Sequence, residues 1–124
     1  MGEPVNELET TDPDPVQVSG GSEIGQEERL AHFIRMLSDD NEGKRWKAAE
    51  TLGRLKDPVA VDPLIDSLWD DDSRVRLKAA WALGRIGDRR ATAPLRRLYR
   101  MDNEGAREII TEALEAINLT ENQE

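Results

Sequence analysis

The residue types that do chemistry are scarce in this chain. It holds one histidine, His32, and no cysteine. Nucleophilic catalysis needs an activated Ser, Thr or Cys with a base beside it. His32 lies between Ala31 and Phe33 in a stretch of helical periodicity, so it reads as a packed or surface histidine rather than a general base. Without cysteine, a disulfide framework and a thiolate metal site are both excluded. Carboxylates are plentiful, and they cluster in "SDDNE" (38–42) and "WDDDS" (69–73). The run Asp70–Asp72 would attract a divalent cation, but it has neither the spacing nor the glycine of an EF-hand loop. Both clusters recur at one place in an internal repeat, which favours turn and cap chemistry over acid–base work. No glycine-rich loop is present to cradle a phosphate. The expectation is no catalytic residue, no metal and no cofactor.

A second pattern pairs acids with arginines. Asp40/Arg45, Asp71/Arg76 and Asp102/Arg107 are each five residues apart. Each arginine falls near a predicted helix start, where its charge opposes the helix dipole. A carboxylate in the adjoining loop offsets that charge. Repeated along the chain, such pairs predict a structural ladder rather than an anion site. A third pattern is the group Arg89, Arg90, Arg96, Arg97, Arg100 and Arg107, which makes the last part of the chain basic. This spread is ordinary for a solvated helix face. Nucleic-acid binding by this region is carried only as an alternative.

The elements that position these residues come from a repeat. Residues 48–57 read "AAETLGRLKD", and residues 79–88 read "AAWALGRIGD". A shift of 31 residues aligns three copies, 27–57, 58–88 and 89–119. The first two agree at Arg45/Arg76, Ala48/Ala79, Ala49/Ala80, Leu52/Leu83, Gly53/Gly84 and Asp57/Asp88, among others. The third keeps Pro94, Leu95, Asp102, Arg107, Ala113, Leu114 and Ile117 in register. A fixed period of this size marks a solenoid.

Each copy reads as two helices. In the second copy, Ala60, Val61, Leu64, Ile65 and Leu68 fall at helical spacing, with Pro63 in the opening turn. Asp72 or Ser73 caps the next helix. Val75, Ala79, Leu83 and Ile86 form its apolar stripe, and Gly87–Asp88 stops it. The first copy repeats the scheme with Leu30, Phe33, Ile34 and Leu37, then Trp46, Ala49 and Leu52. One such hairpin cannot bury its own apolar face, but three stacked hairpins share a core.

The stretch "DDDSRVRLKAAWALGRIGD" (70–88) resembles a HEAT repeat of the short phycobilisome-lyase type, with its loop Asp, early helix Arg and "AA.ALG.IG". The resemblance covers residues 27–119. It implies an all-α, right-handed, armadillo-like α-solenoid of about three helical hairpins. It also implies an alternative function, a bilin lyase or isomerase subunit acting on phycobiliproteins. HEAT-like deoxyhypusine hydroxylase holds iron through His–Glu pairs. This chain has no such dipeptide, so that activity is not expected.

Charge divides the chain unevenly. Residues 1–24 hold six acids and no Lys or Arg, within a net charge of −9. Three prolines, Gly20–Gly21 and scattered apolar residues there predict a disordered acidic tail before a repeat domain at 25–121. That tail opposes non-specific nucleic-acid binding by the whole chain. No apolar stretch reaches the ~18 residues of a membrane span. The opening residues lack the basic and apolar regions of a secretory signal. A cytoplasmic protein without membrane attachment is expected.

On the second helices, residues pointing away from the apolar stripe align into columns. These are Lys47/Lys78/Ile109, Glu50/Trp81/Glu112 and Arg54/Arg85/Ala116. The resemblance places the second helices on the concave face. Lys47, Glu50, Arg54, Lys78, Trp81 and Arg85 are thus the expected partner-binding groove, with Trp81 as the anchor. The expected function is a non-catalytic protein–protein interaction scaffold binding another protein, with an acidic segment as its natural ligand. The acidic tail is a second candidate ligand. Self-association through the solenoid ends is a further expectation.

Overall fold

Side chains in the loops start the helices. In the computed structural model, which describes residues 23–101 and 105–122, the described residues divide between Ala31 and His32 into two compact units. Six α-helices occur among the described residues: α1 Glu23–Met36, α2 Glu42–Leu55, α3 Val61–Ser67, α4 Ser73–Ile86, α5 Thr92–Met101 and α6 Arg107–Asn122. Short 3-10 turns, Pro58–Ala60 and Arg89–Ala91, lead into α3 and α5. There is no strand among the described residues. The all-α solenoid expectation therefore holds. Glu23 and Ile24, expected in the tail, belong to α1. The rest of that tail, residues 1–22, lies outside the described residues.

The polar clusters cap, as their recurrence predicts. Asn41 accepts a hydrogen bond from the Lys44 N–H at 2.9 Å and opens α2. Asp72 accepts from the Arg74 N–H at 2.8 Å and opens α4. Asp57 and Asp88 open the two 3-10 turns in the same way. Such caps satisfy N–H groups that have no partner inside the helix. At the other end, the Gly87 N–H closes α4 on the Leu83 carbonyl, with φ 78°. Lys56 holds the matching left-handed position after α2, with φ 54°, a conformation costing an L-residue about 1 kcal/mol.

Two of these caps carry a pH signature. The Arg74 guanidinium and then the Arg74 N–H hold the Asp72 carboxyl far below the usual carboxylate range. The Arg90 guanidinium, opposed by some burial and helped by the Arg90 N–H, lowers Asp88. A carboxyl depressed in the folded state adds stability that is fully present above its unfolded pKa of about 3.9. That stability is lost as pH falls toward the folded value. Thermal stability is thus expected to hold from neutral pH to about 4 and then decline. Asp72→Asn with Asp88→Asn should flatten that acid limb, read by circular dichroism melts. An unchanged acid limb would refute it.

Second helices carry the stack. α2 packs against α4, and α4 against α6, while α3 and α5 each close on the following second helix. Leu52, Leu64, Leu68, Val75, Leu83, Leu95 and Ile110 are fully buried between them. Each is worth about 1.5–3 kcal/mol of transfer free energy. The glycines of the repeat make the close approach possible. A Cβ on Gly53 would lie 2.9 Å from the Ala82 Cα, and one on Gly84 2.7 Å from the Ala113 Cα. Trp46 departs from the expected core stripe: it is half-buried and leaves the core to Ala48, Ala49 and Leu52.

The ladder takes a different course from the spacing. Arg45 does not bond the Asp40 carboxylate; its Nη1 donates to the Asp39 and Asp40 carbonyls at 2.8 and 3.1 Å. Its carboxylate partners sit in the next repeat. Arg45 Nε donates to Asp70 Oδ2 at 2.9 Å and Nη2 to Asp70 Oδ1 at 3.1 Å. Asp71 Oδ1 accepts as well, at 3.2 Å. The Arg45 and Asp70 side chains are 14% and 11% exposed, so this bidentate pair is partly shielded from water. The reason is reach: an arginine on the first turn of α2 points across the stack, and only its inner Nη1 turns back to its own loop. Arg76 repeats the inner contact, to the Asp70 carbonyl at 2.8 Å. Arg107 donates to the Tyr99 carbonyl at 3.0 Å. Asp102 lies outside the described residues.

Candidate interaction groove

The second helices present their non-core faces side by side. On α4, Lys78 and Trp81 are one turn apart, and Arg85 lies one turn further. Lys78 Nζ stands 4.6 Å from the Trp81 ring centroid and 4.8 Å from that of Trp46 on α2. One ammonium is thus held by indoles from two successive repeats. Arg85 lies over the same Trp81 ring, at 5.6 Å. Each such contact is worth about 0.5–1 kcal/mol at a partly exposed site. The outcome is a fixed cationic cluster on an aromatic floor. Trp81 is half-buried, and its six-membered ring lies over Gly53.

A shallow groove of about 370 Å³ continues from Trp81 and Arg85 toward α6. Ile109, Glu112 and Ala116 line its far side. These are the third-repeat members of the columns read from the sequence. Glu112 is the carboxylate lining that wall among the described residues.

Of the six residues expected in the groove, Lys78, Trp81 and Arg85 come together. Glu50 and Arg54 pair with each other along α2, at 3.1 Å, so Arg54 already has a carboxylate partner on its own helix. Lys47 is exposed and makes no ion pair among the described residues. Trp46 is the residue the pattern missed. Its repeat counterparts are Leu77 and Glu108, a column that accepts both apolar and charged side chains and therefore cannot be core. That tolerance was the available signal.

The remaining candidates resolve differently. His32 is exposed and meets Phe33 edge to face, ring centroids 5.0 Å apart. No group of three potential metal ligands converges among the described residues. Trp69 is exposed and carries Arg97 over its ring at 5.8 Å. Of the basic third-repeat residues, Arg90 pairs with Asp88 and Asp62, and Arg107 stacks on Tyr99 at 4.9 Å. No helix among the described residues is long and apolar enough to cross a membrane.

Stacked two-helix repeats joined through their second helices define an α-solenoid. The family model for HEAT repeats matches residues 30–115, and the chain belongs to the HEAT-repeat family. No curated protein sequence matches it.

Proposed function

We propose that this chain is a non-catalytic protein–protein interaction scaffold whose groove along α2, α4 and α6 takes an acidic segment of a partner protein. One observation carries the reading: Lys78 is fixed between Trp46 and Trp81, with Arg85 on the same indole. Cations immobilised on a rigid floor have little side-chain entropy left to lose on binding. They also steer an acidic partner during encounter. HEAT repeats commonly serve as interaction scaffolds, which agrees with this use. The test is affinity capture from the source lysate with the intact chain and with the Lys78→Gln, Arg85→Gln variant. The captured partner's acidic segment is then titrated into both. The double variant should weaken binding about ten-fold or more, and higher salt should weaken the parent complex. Equal affinity in the variant would remove the groove from function.

The resemblance of residues 70–88 to the phycobilisome-lyase type of repeat supports a second reading. The indole floor and fixed cations also suit a linear tetrapyrrole with its carboxylate side chains. A visible absorbance shift when a bilin meets the isolated chain would favour a bilin lyase or isomerase subunit over the scaffold.

A further inference from the structure

The third repeat presents an outer face built differently from the matching faces of the first two. Where the first two repeats carry Gly53 and Gly84, the third carries Glu115. The two glycines let the following second helix approach until no Cβ would fit. A glutamate at the matching position refuses a fourth second helix in that geometry. The surrounding positions change in the same sense. Ile65, Leu68 and Ala80 become Arg96, Tyr99 and Thr111. Leu68 and Ala80 are fully buried, whereas Tyr99 is 37% exposed.

What remains is an open cleft of about 650 Å³ between α5 and α6, floored by Leu114 and Ile117. Arg89, Arg96 and Arg100 edge it. These three guanidinium groups are exposed and form no ion pair among the described residues. Glu115 is the one carboxylate lining the cleft among the described residues. Three free cations against one acid leave a strong demand for negative charge, over an apolar floor.

The inner joint shows how such a face is filled. There the start of the third repeat crosses the second. Arg90 reaches the Pro58 carbonyl at 3.2 Å and Asp62 at 3.6 Å, and Arg97 covers Trp69. In that joint the incoming element brings the cations and the receiving face brings the acid. At the end face the polarity is reversed, so an incoming helix must bring acids. We propose that this cleft binds an amphipathic helix of a partner protein, its acidic residues on Arg89, Arg96 and Arg100 and its apolar residues on Leu114 and Tyr99. Glu115 keeps that helix over α5 rather than α6. The site is separate from the groove of Lys78 and Arg85 and does not depend on it.

The test titrates the full chain, by fluorescence anisotropy, with a labelled, lactam-stapled helical peptide bearing Glu on one face and Leu on the other. Saturable binding is expected. Arg96→Glu with Arg100→Glu should weaken it about ten-fold or more, and Glu115→Gln should strengthen it. Lys78→Gln with Arg85→Gln should leave it unchanged. All of the altered end-face side chains are exposed, so circular dichroism should show an intact fold. Four results would each overturn the proposal: no saturable binding; insensitivity to the Arg96 and Arg100 reversal; equal binding of a proline-broken peptide of the same composition; or tighter binding of a single-stranded oligonucleotide of the same charge. Concentration-dependent sedimentation that the same reversal abolishes would assign the face to a second copy instead.

Discussion

Gly84→Ala is expected to destabilise the fold by about 2–3 kcal/mol, the range for overpacking a filled interior. The usual effect has the opposite sign, because alanine in an open helix gains about 0.5–1 kcal/mol over glycine. Geometry decides between them. A Cβ on Gly84 would stand 2.7 Å from the Ala113 Cα and 2.9 Å from its Cβ. The obstacle is backbone, so no rotamer change relieves it. α4 and α6 must separate, and they do so beside Leu83 and Ile110, both fully buried. Gly43→Ala is the internal control. Its Cβ would meet only the Asn41 side chain, at 3.0 Å, and the change should stay within about 0.5 kcal/mol. Urea unfolding of the two variants measures the difference. A Gly84→Ala chain as stable as the parent would mean that the joint is looser than described.

The same glycine explains why the fold could be read from the sequence. A 31-residue period with "LG" at fixed places leaves few architectures open, because each repeat must bury its stripe against the next. Caps were equally readable, since Asp72 and Gly87 act through local backbone geometry that neighbours in sequence determine. The Arg45 rung of the ladder was read with the wrong carboxylate because spacing along the chain registers only local pairs. Arg45 bonds Asp70, twenty-five residues away. That reach depends on how one hairpin is set on the next, which no single repeat encodes.

The groove was half readable for a related reason. Columns gave Lys78, Trp81 and Arg85, which share one helix. They missed Trp46, because a tryptophan near an apolar stripe is assigned to the core by composition alone. Only the stacked α2 and α4 bring its indole to Lys78. The end cleft escaped notice because arginines at 89, 96 and 100 look alike in sequence to those at 90, 97 and 107. What separates them is that Arg90 and Arg97 find partners across the joint and Arg107 finds Tyr99 within its own repeat.

Trp81→Ala should then cost more than a surface truncation, about 2–3 kcal/mol. A fully buried tryptophan costs roughly 3–5 kcal/mol on truncation, and Trp81 is half-buried. Its ring fills the space that Gly53 leaves open, a built Cβ there lying 2.6 Å from it. Truncation also strips Lys78 and Arg85 of a shared ring, adding roughly 0.5–1 kcal/mol for each contact. Trp81→Phe keeps a ring over Gly53 and should recover more than half of the loss. Lys78→Gln leaves the ring in place and should cost under about 1 kcal/mol. Urea unfolding followed by the fluorescence of Trp46 and Trp69 would rank the three variants. The ranking bears on function. If Trp81→Ala is the costly member, any binding it abolishes reports a loosened joint as much as a lost contact, and the charge variants become the sound probes of the groove. If Trp81→Ala is as stable as the parent, the indole contributes little to the stack and is free to act as the anchor itself.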